Sequence, residues 1–278
     1  MMLDREVLEH FCAKGYAVLP GFYDAATQIA PIHEGIRFIV EALAEKYGVT
    51  ASTGTVEEAL GPGLVALGQA DRRYVSEVYD AVKQIPAFMA LVADPRNAAI
   101  FEALRPGAQA GLAAGGYGIR IDLPAEETFR ALWHQEFPAQ LRSPDGIVFW
   151  SPLVEITPEL GPVQICEGSH AEGLVPVYQD DGGVGKSGAY ALRLTDEEAR
   201  LARYAHVAPL SRPGDLILMD FMTLHQSGRN VASVPRWSMQ FRYFNFADPV
   251  GRRLSWKGSF AAGVDFSDVM PELAAKSP

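Results

Sequence analysis

The chain has 278 residues, 48% of them hydrophobic, enough for a sizeable core in one compact domain near the upper size for such a unit. Its net charge of −10 and pI of about 5.1 argue against general nucleic-acid binding and against attraction to anionic membranes. Cys12 and Cys166 have neither metal spacing nor a disulfide framework, no apolar run reaches the ~20 residues of a spanning helix, and no signal core opens the chain, so a cytoplasmic protein with free thiols is expected.

Residues 1–111 read as a mostly helical layer. Asp4 is placed to cap a helix reaching about Ala13, with Leu8 and Phe11 on one face. Residues 15–19 form a short strand. Asp24 or Thr27 starts a helix through Ile32, Ile36, Ile39 and Leu43 to Tyr47, where apolar positions recur at helical spacing. Another helix spans Asp71 to Lys83, and Asp94 with Pro95 opens one more as cap and first-turn residue.

From residue 112 the texture changes. Short β-rich runs at 117–123, 129–134, 147–156, 163–166, 205–210, 215–220 and 236–246 alternate with Gly, Pro and Asp turns, the pattern of a sandwich or barrel. An insert at about 171–204 carries a glycine-rich stretch and a helix start at 195–199. The stretch contains Gly185-Lys186-Ser187, yet Asp180 stands where a phosphate loop needs its first glycine. A mobile loop over about 178–190, placed to close over a site, is expected instead. Residues 251–278 make a C-terminal extension, loose from Pro271 onward. The expected architecture is α+β with a mainly β core. One domain is built on a double-stranded β-helix, a cupin-like jelly-roll barrel at 112–250, behind an N-terminal helical layer.

His134, Gln135 and Glu136 stand in a row, His225 follows far downstream, and Arg236 comes eleven residues after His225. Two histidines and a carboxylate on one face of iron leave the opposite coordination positions open, which suits a non-haem Fe(II) oxygenase. On a strand, residues two apart share a face, so His134 and Glu136 are expected to grip one ion from one strand while a distant strand supplies His225. An arginine soon after the third ligand offers a planar fork for a carboxylate. In the run 236–244, Arg236, Ser238, Gln240 and Arg242 alternate with Trp237, Met239, Phe241 and Tyr243. The polar face is expected to line a barrel mouth and the aromatic face to pack on the helical layer. Both arginines are then possible anchors. Arg120 and Asp122 share a face of another strand; there a solvated face competes with a role for Arg120 at the substrate or cosubstrate. Tyr117 and Gln135 are further pocket candidates. His10, His33, His170 and His206 are expected to be structural.

Four stretches resemble the phytanoyl-CoA dioxygenase family of Fe(II)/2-oxoglutarate oxygenases. They are Leu132-Trp133-His134-Gln135-Glu136; Phe149-Trp150-Ser151-Pro152; Gly161-Pro162-Val163-Gln164-Ile165 leading to Gly168-Ser169-His170; and Pro213-Gly214-Asp215 through His225-Gln226-Ser227-Gly228 to Pro235-Arg236. Residues 15–22 are similar to the family's opening strand, so the resemblance covers most of 5–246. It departs in two places. Glu136 stands where Asp is usual, and Gly161 where Asn is frequent.

The resemblance implies Fe(II) on His134, Glu136 and His225, with 2-oxoglutarate as cosubstrate and O2 as oxidant. It also implies Arg236, rather than Arg242, as the anchor of the cosubstrate's far carboxylate, with Trp150 and Ser227 beside the cosubstrate; Gln164 is a further candidate for the same pocket. The implied reaction yields succinate and CO2 and hydroxylates a small-molecule substrate, a small polar metabolite or biosynthetic intermediate. Two other classes share the barrel: a cupin-like metalloenzyme without 2-oxoglutarate, which needs no Arg236, and a non-catalytic small-molecule-binding barrel.

Overall fold

The computed structural model describes residues 3–180, 192–258 and 266–275. The glycine-rich stretch 181–188, expected as a closing loop, lies outside the described residues.

The N-terminal layer is helical because its apolar positions recur every three or four residues and its starts are capped. Helix Arg5–Lys14 has Asp4 at its N-cap position, but that side chain accepts no cap bond. Asp24 does cap, accepting from the amides of Ala26 and Thr27 at the head of a π-turn that leads into helix Ala30–Tyr47. Asp71 caps helix Arg72–Val82, and Asp94 caps Pro95–Leu104. Two further helices, Leu64–Ala70 and Pro86–Val92, escaped the sequence reading.

The strands are β1 (Tyr16–Leu19), β2 (Ala110–Leu112), β3 (Gly118–Asp122), β4 (Gly146–Pro152), β5 (Val163–Cys166), β6 (Val177–Gln179), β7 (Leu192–Leu194), β8 (His206–Val207), β9 (Leu216–Asp220), β10 (His225–Ser227), β11 (Arg236–Asn245) and β12 (Ala274–Ala275). The major sheet runs β1-β9-β4-β11, with β3 and β2 both paired to the outer side of β11. A smaller antiparallel sheet runs β10-β5-β8. Alternation sorts the side chains of the major sheet. Ile147, Phe149, Leu216, Leu218, Trp237, Met239 and Phe241 join Ile32, Ile36, Val78 and Phe88 in one core against the helices. Val148, Trp150, Ile217 and Met219 face the other way and join Val163 and Ile165 of the smaller sheet in the barrel core. The expected jelly roll with its helical layer is therefore present, and the aromatic face of β11 packs as its period requires.

Two expectations change. The run 129–134 is no strand. Its backbone bonds to β10 at two points, and Ser227 N–H donates to Ala131 O where a regular ladder continuing from the His134–His225 pair would use Leu132 O. One extra residue on that side works as a β-bulge does and releases Leu132 O from the ladder. The tail after Pro271 is not loose as far as it is described, because β12 pairs in parallel with β6 in a third small sheet with β7.

Candidate metal centre

His134 and Glu136 do not share a strand. His134 pairs with His225 of β10, and Glu136 is the first residue of the short helix Glu136–Gln140. Gln135 between them is extended, with φ −99° and ψ 148°, so the two side chains still point the same way. The Glu136 amide is tied to Phe221 O at 2.9 Å, which anchors the helix start to the loop before β10.

The three side chains converge. Glu136 Oε2 lies 3.8 Å from His134 Nε2 and 3.5 Å from His225 Nε2. Each imidazole is oriented from behind, His134 Nδ1 on Leu132 O at 2.7 Å and His225 Nδ1 on Thr223 O at 2.9 Å. A carbonyl only accepts, so Nδ1 carries a proton in both rings and each Nε2 faces its partners. The carbonyl freed by the bulge thus orients the first ligand. Burial, with His225 beside it, lowers His134 to about 3, which keeps that ring neutral. Burial alone would raise the Glu136 carboxyl, but the charge of Arg242 and the facing histidines outweigh it and hold the group well below the usual carboxylate range. Glu136 Oε2 is buried without a hydrogen-bond partner. Two imidazole nitrogens and an ionised oxygen without a hydrogen-bond partner fit a divalent cation of the iron type. No other such cluster of His, Cys, Asp and Glu occurs among the described residues.

The triad opens into a cavity of about 270 Å³. Of the residues expected there, Arg120, Tyr117, Trp150 and Ser227 line it; Arg242 also lines it, with Gln240 and Gln226. Arg236 does not. Its guanidinium donates to Asp122 Oδ2 from Nε and Nη2, at 3.2 and 2.8 Å, and from Nη1 to the carbonyls of Gly161 and Gly228. Those carbonyls converge because the two backbones touch. A Cβ on Gly228 would meet the Gly161 carbonyl carbon at 2.7 Å, and Gly161 has φ +71°. Arg120 grips the same carboxylate from the cavity side, so Asp122 is buried between two arginines. Burial pushes the Asp122 carboxyl up, but the charges of Arg120 and Arg236 prevail and hold it below its ordinary value.

Gln164 lies outside the cavity wall; its Oε1 accepts from Gln226 Nε2 at 2.5 Å and so positions a residue that is in the wall. Gln135 is corrected outright. It is buried, donates to Gly173 O and Met222 O, and accepts from the Val175 amide. Nothing is left with which to meet a substrate. Gln240 lines the cavity as its place on the polar face of β11 led one to expect; the sequence reading missed Tyr79 and Gln140, which reach the cavity only through tertiary packing. His33 and His170 spend Nε2 on Leu153 O and Cys12 O, away from the triad.

Over residues 11–238 the chain matches the phytanoyl-CoA dioxygenase (PhyH) family, and it belongs to that family. A stretch of 90 residues is 37% identical to the ectoine dioxygenase of Sphingopyxis alaskensis, covering 30% of this chain and 29% of that protein, so under a third of the relative's length is matched. The structure of EctD from S. alaskensis with 2-oxoglutarate and 5-hydroxyectoine is similar at a TM-score of 0.59 and 19% identity, over 88% of this chain and 77% of that one. The 2-oxoglutarate-dependent carbocyclase SnoK of nogalamycin biosynthesis gives 0.57 and 18%, over 87% and 84%. At such identities these likenesses speak for the shared fold.

Proposed function

We propose that this member of the phytanoyl-CoA dioxygenase family is an Fe(II)- and 2-oxoglutarate-dependent dioxygenase that hydroxylates a small polar metabolite or biosynthetic intermediate. The observation that carries the reading is the triad, two members buried and His134 half-buried, whose ligand atoms all lie within 4.8 Å of one another at the wall of an arginine-lined cavity. Iron with 2-oxoglutarate and O2 bound would supply the oxidising chemistry, releasing succinate and CO2.

The chain's own residues do the rest. His134, Glu136 and His225 hold the metal from one side. Trp150 and Ser227 flank the cosubstrate. Arg236 and Arg120 share one carboxylate; Arg120 lines the cavity, and we assign it the anchoring of the cosubstrate's far carboxylate, with Arg236 positioning it through Asp122. The cavity lies just below the usual range of about 300–1,000 Å³ for ligand pockets. Shared with a cosubstrate, it favours a small substrate. Tyr117, Gln140, Gln226 and Gln240 offer that substrate neutral hydrogen-bonding groups. No helix among the described residues is long and apolar enough to cross a membrane. Free thiols at Cys12 and Cys166 agree with a cytoplasmic setting.

The test is Fe(II)-dependent conversion of 2-oxoglutarate to succinate by the purified protein, followed by a substrate screen in which product mass is measured. Metal binding without succinate formation across that screen would point instead to a cupin-like enzyme that does not use the cosubstrate.

A further inference from the structure

We propose that Arg242 is the positioning residue of the metal centre: it holds one oxygen of Glu136, so that the carboxylate meets the metal through the other. The inference rests on the metal-dependent reading above and adds a role which that reading does not require.

Arg242 projects from β11. Its Nε–H donates to Glu136 Oε1 at 2.9 Å, and Nη1 donates to the Gly116 carbonyl at 3.1 Å. Both side chains are buried, Glu136 at 2% exposure and Arg242 at 7%. The guanidinium is thus fixed by its strand and by the cavity rim before any ligand arrives, a task suited to a planar fork rather than a lysine point charge. With Oε1 taken, Oε2 is left with no hydrogen-bond partner, 3.5 and 3.8 Å from the two Nε2 atoms. A glutamate arm has one more rotatable bond than aspartate, and an unheld carboxylate there could turn both oxygens to the metal. That would occupy a position the reaction needs open. The longer arm and the arginine belong together. A carboxylate withdrawn by one carbon–carbon bond, about 1.5 Å, would have to give up either the arginine or the metal.

The experiment measures Co(II) affinity and visible absorption for wild type, Glu136→Asp, Arg242→Met and the double variant. Two effects of Arg242→Met oppose each other. Losing a nearby positive charge tightens binding of a divalent cation; losing the hold on the carboxylate weakens it. In the glutamate background the second should win, with Co(II) binding at least about tenfold weaker, the usual scale for such supporting residues, and an altered spectrum. In the Glu136→Asp background only the charge effect remains, so Arg242→Met should leave binding equal or tighter. Weaker binding in both backgrounds would assign Arg242 to sheet packing and overturn the proposal, and so would equal or tighter binding in both. Circular dichroism of the metal-free proteins checks folding; if Arg242→Met does not fold, Arg242→Lys takes its place in both backgrounds. A wild type that takes up no Co(II), or whose uptake survives His134→Ala, would remove the metal-dependent reading and this proposal with it.

Discussion

His134 and His225 exchange both backbone hydrogen bonds, each N–H to O=C at 3.1 Å, so main-chain pairing sets their imidazoles side by side with centroids 4.3 Å apart. The ligands are placed by the fold and do not hold it together. His134→Ala or His225→Ala removes one Nδ1 bond to a carbonyl, at about 0.5–1.5 kcal/mol, and little else. Each variant should melt within a few degrees of wild type, bind no Fe(II) at the site and turn over no 2-oxoglutarate. Iron content and succinate release check this together. Full activity in either variant would sink the ligand assignment.

The site was legible where its logic is local. The extended Gln135 lets His134 and Glu136 share a direction although no strand forms, so the spacing argument brought the pair together by a wrong element. The caps at Asp24, Asp71 and Asp94 and the alternation along β11 were likewise local. What was not legible is spent on distant partners. Arg236 meets Asp122 across 114 positions and Gly161 across 75, and Arg242 meets Glu136 across 106. Sequence spacing places a guanidinium on a face, but not on a particular carboxylate. The helix Leu64–Ala70 had no legible start, because Gly61 and Pro62 belong to a kinked π-turn that leads into it.

Three buried arginines around one cavity should separate by what they hold. Truncating a buried, charge-assisted partner costs about 2–5 kcal/mol, so Arg120→Ala should raise the apparent KM for 2-oxoglutarate on the order of 30-fold or more, with a far smaller effect on the substrate KM. Lysine should restore only part of this, because it lacks the fork. Arg236→Ala should weaken the cosubstrate in the same direction but less, since Arg236 lies outside the cavity wall and acts through the Asp122 carboxylate that it shares with Arg120. Steady-state kinetics with 2-oxoglutarate varied is the measurement. A cosubstrate defect in Arg242→Ala with none in Arg120→Ala would move the anchor to Arg242.

Gln135 and Gln240 make a matched pair. Gln135 is 1% exposed and its amide serves two carbonyls and one backbone N–H. Each buried group left unsatisfied costs about 1–3 kcal/mol, so Gln135→Ala should destabilise the fold strongly. In protein that remains folded, substrate KM should be unchanged. Gln240 stands opposite Trp150 on the neighbouring strand and lines the cavity. Gln240→Ala should leave the melting temperature nearly intact and raise substrate KM several-fold. Melting curves and Michaelis constants for both variants decide the matter; reversed effects would mean the cavity wall is wrongly drawn.

Asp122 gives a pH signature. Its carboxyl, caught between Arg120 and Arg236, has its pKa lowered in the folded protein relative to about 3.9 in an unfolded chain. A lowered folded pKa means the pair's contribution is complete above the unfolded value and is lost as pH falls through the folded one. Asp122→Asn removes the charge at every pH and leaves two guanidiniums facing each other, so at pH 7 it should cost about 3–5 kcal/mol. Between pH 8 and 5 that difference should stay flat, because wild-type Asp122 remains ionised throughout in both states. Only below about pH 4 should the two proteins draw together, as wild type begins to lose what the variant never had. Urea unfolding of both proteins at pH 7, 5 and 4 follows the difference. A gap that already closes between pH 7 and 5 would mean that Asp122 titrates near neutrality, and the shared carboxylate could not then be the fixed charge that holds Arg236 in place.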